Sequence, residues 1–378
     1  MLECNSANKE VHCPIQTVWG HNRNRNCSFS SDDLYIPGTK LHMQFQANSS
    51  GAFEPLSATI VKCFEPFTSA VVLLVQRPID TQPFILKLAD RRLGYRHCWD
   101  VDIPWTSTVE GHLRCAVHDI QLGKKRNWFE IVHDTGHPQR PPKDEWEDWM
   151  WEVSTWTRKM NDHDTEHSAY RLLHRLQGNC IPRLHGVVSL SVTSEPEPLH
   201  PITDIVQGLA FEYIHGVNME DLKPGVDISQ QEAEAISSRV MDVFCTIEAE
   251  NCVIHNDLHI GNVILRDSPV INDFGFAIIR RSGWSDEEWK DVVEGGPDTR
   301  NMRRALVNGG WKKNVTPFEM LDSRYDNPAV FNKYVEDLPE DYRTKMFERV
   351  LDTDWDGAKE MVHRWRIKPD VRCRPWYD

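Results

Sequence analysis

The stretch VIHNDLHIGNVILRDSPVINDFGFA, from Val253 to Ala277, places small polar side chains among runs of Val, Ile and Phe. The runs NVIL and VIN are typical of two short strands, and the RDSP between them predicts a tight turn. Such a hairpin would bring Asn262 and Asp273 to the same end. Asp257 precedes Asn262 in a loop, so three polar side chains are expected near one point.

These three side chains favour metal-assisted group transfer. Mg²⁺ takes carboxylate and amide oxygens and keeps several waters, so Asn262 and Asp273 are candidate ligands. Asp257 would lie beside the metal, where it can orient a hydroxyl and accept its proton as a phosphoryl group moves.

The two motifs resemble those of the protein-kinase-like superfamily. HNDLHIGN, from His255 to Asn262, resembles the catalytic loop H-x-D-x-x-x-x-N, and Asp273-Phe274-Gly275 resembles the D-F-G motif. The loop is more similar to the H-G-D-L-H-x-G-N of aminoglycoside and choline phosphotransferases than to H-R-D-L-K. ILKLADRR and EHSAYRLLHRLQGNCIPRLHG are also similar to uncharacterised kinase-like proteins of filamentous fungi.

The resemblance implies a phosphate-holding lysine and a glutamate that pairs with it. Lys87, in the apolar run PFILKL, matches the third-strand lysine that holds the α- and β-phosphates. Glu166 is the favoured helix glutamate because its helix leads directly into the next predicted strand. Glu152, on the preceding helical stretch, is the alternative.

The residues expected to make the remaining nucleotide contacts match the family's motifs less closely. LAFEYIHG resembles the hinge, where main-chain groups from Glu212 to Ile214 would bind adenine. The first hairpin has no G-x-G-x-x-G between its strands, and Thr68 and Ser69 are the candidates to donate to phosphate instead. The implied cofactors are ATP and Mg²⁺.

The predicted fold class is α+β, with a two-lobed protein-kinase-like architecture. A small N-lobe, residues 35–207, would combine an antiparallel sheet and a helix and would carry a long, irregular Trp-rich insert at about 89–145. A flexible arm, 1–34, would precede it. The C-lobe, 208–378, would be mostly helical, including its C-terminal part.

Local patterns give the elements of both lobes. Runs 56–64, 69–77 and 83–92 predict three strands of an antiparallel meander. A helix is predicted over roughly 143–177, interrupted near MNDHD, residues 160–164. A further helix starts at Ser229, which forms a capping box with Glu232, and its apolar stripe is Ile236, Val240, Val243, Phe244 and Ile247.

Composition limits the partners and the compartment. The formal net charge of −14 argues against a nucleic-acid backbone as the main partner. No apolar run approaches a membrane span, and the ten cysteines are scattered without a CxxC pair. We therefore expect a cytoplasmic protein with reduced thiols and no membrane or nucleic-acid partner, in an oligomeric state that the sequence leaves open.

The predicted function is transfer of the γ-phosphoryl group of ATP to a hydroxyl of a small molecule. Asn256 stands where regulated protein kinases have an arginine, and no A-P-E follows Asp273, so a peptide-docking platform is not expected. An atypical protein kinase, or a kinase fold repurposed for binding or other chemistry, is the alternative. Glu220 and Asp221 would face a cationic acceptor or solvent, and His259 would approach the phosphoryl group or serve the scaffold.

Overall fold

The computed structural model describes residues 34–48, 50–80, 82–96, 104–124, 132, 137–193, 200–295, 298–312, 332–333, 335–352 and 362–368. Its antiparallel strands and separate helices confirm the α+β class. The chain divides into two compact units, Met1–His215 with Asp273–Ile279 and Gly216–Asn272 with Arg280–Asp378. The boundary at 207/208 stays a prediction, because compactness does not show which residues fold independently. The predicted arm lies outside the described residues except for residue 34.

The first unit is built on an antiparallel barrel of six strands: β1 Lys40–Ala47, β2 Glu54–Cys63, β3 Val71–Gln76, β4 Phe84–Leu88, β5 Leu184–Ser191 and β6 Ile205–Glu212. The strand order is β1-β2-β3-β4-β6-β5, and β1 pairs with β5 to close it. The meander β2–β3–β4 confirms the three predicted strands. Strand β1 was missed, although Leu41, Met43 and Phe45 alternate with polar residues as a half-buried strand does.

The Trp-rich insert contains a helix, so the prediction that it is irregular is wrong. Helix α1, Ser107–Gln121, is capped by Thr106, whose side chain accepts the N–H of Val109 at 3.2 Å. Its apolar face and two of the tryptophans belong to one cluster, which includes Leu113, Ala116, Val117, Trp146, Trp149, Met150, Val153 and Ile202. Trp99 and Trp128 lie outside the described residues.

A 25-residue helix, α2, runs from Asp148 to Leu172 after a short 3-10 turn at Lys143–Glu145. The predicted interruption at 160–164 is therefore wrong. A buried polar stripe, Glu152, Thr155, Lys159 and Glu166, follows the helical repeat along α2. Each of these side chains bonds to another part of the first unit, and these bonds support the helix where an apolar stripe is missing.

The second unit places its motifs between short elements. Strand β7, Val217–Asn218, pairs with β9, Val263–Leu265, which pairs with β10, Val270–Ile271. The β9–β10 hairpin confirms the predicted turn. The other elements, in chain order, are α3 Pro201–Asp204 and β11 Ile278–Ile279 of the first unit, and α4 Gln230–Ala249, β8 Val253–Ile254, α5 Asp286–Gly295, α6 Asp298–Asn308 and α7 Glu340–Met346 of the second.

Helix α4 has the predicted cap and stripe. The side chain of Ser229 accepts the N–H of Glu232 at 3.1 Å, which satisfies one N-terminal donor. All five stripe residues named from the sequence are buried. None of the helices that the structure describes is long and apolar enough to cross a membrane.

The C-terminal part is not wholly helical, which corrects the prediction. Strands β12, Phe347–Asp352, and β13, Val362–Ile367, pair antiparallel. The run VHRWRI has Val and Ile at its ends and Trp between them, residue types that favour a strand over a helix.

Candidate active site

Lys87 lies in a largely buried cluster of charges in the first unit. Its neighbours on β4, Leu86 and Leu88, point into the barrel core, so strand alternation sends Lys87 to the opposite face. There its Nζ lies 2.8 Å from Oε2 of Glu166 and 2.7 Å from Oδ1 of Asp273. The structure thus brings together three residues that lie far apart in sequence.

The D-F-G segment is fixed by its own backbone and by aromatic packing. Asp273 has a φ of 63°, a left-handed conformation that few side chains adopt and that Asp tolerates better than most. Phe274 is fully buried, and its N–H donates to Oε1 of Glu166 at 3.2 Å. Its ring meets Tyr170 edge-on at 5.4 Å, and Tyr170 packs on Phe211 at 4.7 Å. Glu166 therefore connects Lys87 to this segment.

The ionisation of the cluster follows from burial and charge pairing. Burial alone would lower the pKa of Lys87, but the carboxylates of Asp273 and Glu166 outweigh it and raise the pKa above its usual value. Burial raises the pKa of Glu166, and the ammonium of Lys87 opposes that shift. Lys87 is consequently charged at neutral pH.

Glu152 has other partners. Its carboxylate pairs with Arg91 at 2.6 Å and also with Arg96. Arg91 pairs in addition with Glu110 of α1. Of the two helix glutamates considered from the sequence, Glu166 is the one that meets Lys87.

A cavity adjoins Lys87 within the first unit, and the sequence analysis missed three titratable side chains that line it, Lys159, Asp162 and His163. It is lined by Ser69, Ala70, Lys87, Ala89, Lys159, Asp162, His163, Glu166, Leu209 and Gly275. Burial lowers the pKa of Lys159 to about 8 and raises the pKa of Asp162 to about 6. The heptad-like spacing from Glu152 to Glu166 could have identified Lys159, but MNDHD was interpreted as a break.

The predicted phosphate and adenine residues occupy strand ends. Thr68 is exposed and Ser69 half-buried in the loop between β2 and β3. Glu212 ends β6 and donates its N–H to the carbonyl of Arg183 at 2.9 Å. Ile214 follows and is 5% exposed.

In the second unit, the HNDLHIGN loop is held by its own side chains. His255 is fully buried, and its Nε2 lies 2.8 Å from the carbonyl oxygen of Asn272. Nδ2 of Asn262 donates to the carbonyl of Asp257 at 2.9 Å. The side chain of Asn218 donates to the carbonyl of Gly261 at 2.8 Å. These bonds fix the backbone that carries Asp257.

Asp298, at the start of α6, is a further residue of this loop that the sequence analysis missed. Its carboxylate accepts the N–H of His255 at 2.5 Å and of Asn256 at 3.1 Å, and Asn256 has a φ of 60°. Burial raises the pKa of Asp298 to about 6, while the two backbone donors oppose the rise. The only sequence signal was an acidic residue at a helix start, which is common.

The residues considered for the acceptor or the scaffold lie around the same loop. Glu220 and Asp221 are exposed in a 3-10 turn after β7, and His259 is exposed at the end of the loop. Oε2 of Glu220 lies so near Gly261 that a Cβ there would meet it at 2.8 Å. Glu220 is therefore beside the loop that carries Asp257.

No protein-family model and no curated protein matches the chain. Among solved structures, the Mycobacterium tuberculosis PknI kinase domain is similar at 17% identity and a TM-score of 0.32, covering 67% of this chain and 70% of that one. A single-mutant form of the same domain has 15% identity and a TM-score of 0.32, covering 67% and 71%. Similarities this low carry no conclusion about activity, which has to be inferred from the geometry of this chain.

Proposed function

We propose that the chain has a protein-kinase-like fold and transfers the γ-phosphoryl group of ATP, with Mg²⁺, to a hydroxyl of a small molecule. The observation that carries the proposal is the pairing of Lys87 with both Glu166 and Asp273. A charged lysine that a buried carboxylate holds in place can position phosphates, and positioning is the main catalytic task in phosphoryl transfer.

The residues fit a nucleotide in two respects. Lys87 stays charged, so its ammonium can bind the α- and β-phosphates. At the end of β6, the N–H of Glu212 is already used by Arg183, whereas no backbone group among the described residues bonds to Ile214. Ile214 is therefore the hinge residue that we assign to adenine, and Glu212 supports it.

The side chains of Asn262 and Asp273 each have the chemistry of a magnesium ligand. The amide nitrogen of Asn262 donates to Asp257, which assigns the side-chain oxygen of Asn262 as the ligand atom. Asp273 supplies a carboxylate that is 28% exposed. The described residues hold no cluster of three His, Cys, Asp or Glu side chains suited to a metal, and Mg²⁺ needs only one or two protein carboxylates besides phosphate and water. When bound, it would neutralise charge on the phosphates.

Asp257 is the proposed base. It is half-buried in a loop whose backbone is fixed by Asp298, Asn218 and Asn262. A fixed carboxylate can hold an acceptor hydroxyl in line and take its proton as the phosphoryl group moves. His255 packs behind the loop and has a scaffold role.

A small-molecule acceptor is favoured over a protein. Asn256 replaces an arginine that would read a phosphorylated activation loop, and no A-P-E follows the D-F-G segment. Exposed Glu220, beside Gly261, adds a negative charge near the loop of Asp257 and suits an acceptor that bears an amine. Protein phosphorylation is the competing outcome.

The test is transfer from γ-labelled ATP into a size-fractionated cell extract with Mg²⁺. Wild type is compared with Asp257→Asn, Asp273→Asn and the matched control Asp242→Asn, an exposed aspartate on α4. We expect label in the small-molecule fraction, a loss of at least about 100-fold in Asp257→Asn, and no change in the control.

Measurements of ATP binding distinguish the proposed base, Asp257, from the proposed magnesium ligand, Asp273. Asp257→Asn should retain metal-dependent ATP binding, whereas Asp273→Asn should lose it. Label in protein alone would overturn the small-molecule assignment. Folded wild type that neither binds ATP nor transfers label would overturn the phosphotransferase assignment.

A further inference from the structure

Residues 67–70, in the loop between β2 and β3, include no glycine, yet their backbone is held at two successive carbonyls. The first is the carbonyl of Thr68, which accepts the N–H of Tyr95 at 2.9 Å. Gly94 allows this approach, because a Cβ at that position would lie 2.1 Å from the same oxygen. The glycine therefore lies at residue 94, in the segment that supports the loop, and not in the loop itself.

The second carbonyl is that of Ser69, which accepts a hydrogen bond from Nζ of Lys159 at 2.8 Å. Lys159 is 2% exposed, and among the described residues no carboxylate lies within ion-pair distance of it. A buried ammonium without a paired carboxylate is costly, so a purely structural position would favour an apolar residue. The hydrogen bond from Lys159 to the carbonyl of Ser69 indicates that this lysine serves to hold the loop.

Peptide planarity sets the direction of the remaining donors. In a trans peptide the C=O of one residue and the N–H of the next point in opposite directions. With the carbonyls of Thr68 and Ser69 held by Tyr95 and Lys159, the N–H groups of Ser69 and Ala70 point away from those contacts. No acceptor among the described residues meets either N–H, and both residues line the cavity beside Lys87.

We propose that Lys159 is a positioning residue that holds the Thr68–Ala70 loop so that the N–H groups of Ser69 and Ala70 bind phosphate oxygens. Two successive backbone donors form a small anion site. The inference rests on the proposed function for the identity of the anion, a nucleoside polyphosphate. It also explains how a loop without glycine can serve this role: the backbone is held rigidly from α2 and residues 94–95.

Binding of ATP and of adenosine is measured for wild type, Lys159→Met, Lys159→Arg and the control Lys62→Met, an exposed lysine of β2 outside the cavity. Lys159→Met should weaken ATP binding about 10-fold and leave adenosine binding unchanged, since one positioning bond is lost and only phosphates depend on it. Lys159→Arg retains a donor and should recover most of the affinity. Equal ATP affinity in wild type and Lys159→Met, or equal losses for ATP and adenosine, would overturn the proposal.

Amide hydrogen exchange in nucleotide-free protein gives an independent readout. Lys159→Met should accelerate exchange at the amide of Tyr95, which donates to the carbonyl of Thr68 in the held loop, while α4 keeps its protection. Unchanged exchange at the Tyr95 amide overturns the role of Lys159 even if the wild type transfers phosphate normally. Wild type that binds no nucleotide overturns the proposed function and the phosphate role together.

Discussion

The carboxylate of Glu166 accepts the backbone N–H of Phe274 at 3.2 Å, across 108 residues of sequence. The other oxygen of Glu166 pairs with Lys87. One side chain on α2 thereby fixes both the lysine of β4 and the backbone next to Asp273. Since both bonds are buried, their loss should be felt in stability as well as in activity.

Replacing Glu166 with Gln should lower stability by about 1.5–3 kcal/mol, because a charged hydrogen bond to Lys87 becomes a neutral one at a buried site. Transfer activity should fall more steeply than stability alone explains, since Lys87 would then pair only with Asp273. Urea unfolding and the label-transfer assay measure the two effects, with Glu54→Gln, an exposed residue of β2, as the control. An unchanged unfolding midpoint would contradict the assigned role of this bond.

Replacing Asp298 with Asn should loosen the HNDLHIGN loop. Asparagine offers one acceptor oxygen and one donor group, so one of the N–H groups of His255 and Asn256 would face a donor. We expect a loss of about 1–3 kcal/mol in urea unfolding and a reduced kcat with nearly unchanged ATP affinity. Asp291→Asn, exposed on α5, is the matched control. A change in ATP affinity without a change in kcat would point to a different role.

The raised pKa of Asp162 predicts that the stability of the protein depends on pH. Burial raises its pKa to about 6 in the folded protein, against about 4 in the unfolded chain. Between these values the folded state binds more protons, so the stability from this group is present below pH 4 and is lost as pH rises to about 6.

The variant Asp162→Asn should therefore gain stability relative to wild type as pH rises from 4 to 7, by about 1 kcal/mol after allowance for solvent screening. Unfolding at several pH values tests this difference. A difference that is constant over pH, or that has the opposite sign, would show that Asp162 is not destabilised by burial.

Glu152 holds two buried arginines, Arg91 and Arg96, and should be among the most sensitive positions of the first unit. Glu152→Ala would leave both guanidinium groups without this carboxylate, at an expected cost of about 3–5 kcal/mol. Urea unfolding measures the loss, and limited proteolysis should show earlier cleavage within α1, which is tied to Arg91 through Glu110. Glu232→Ala, an exposed residue of α4, should cost much less. A loss below 1 kcal/mol would indicate that the network contributes little.

Local sequence signals were sufficient where an element carries its own pattern. The cap and stripe of α4 and the turn between β9 and β10 are of this kind, because each is encoded by neighbouring residues. Lys87 and Glu166 could be singled out only through the resemblance, whereas Asp273 also follows from the predicted hairpin. Their contact depends on long-range packing that no local pattern contains.

The misses have physical causes. The stripe of α2 is polar, since Glu152, Thr155 and Lys159 bond to other parts of the unit, so a search for apolar periodicity sees a break. Asp298 acts on backbone N–H groups more than forty positions away, which leaves no signal in side-chain spacing. The C-terminal hairpin was overlooked because neither of its strands alternates apolar and polar residues, so periodicity does not mark it.

Closure of the barrel has a consequence for association. In an open sheet the outermost strands expose unpaired N–H and C=O groups, to which a strand of another chain can add. Here β1 pairs with β5, so in the described part of the first unit the six strands form a ring in which every strand has a neighbour on each side. Edge-to-edge aggregation and strand addition are thereby disfavoured at the barrel, so a partner would have to bind through side chains and not by backbone pairing with its strands.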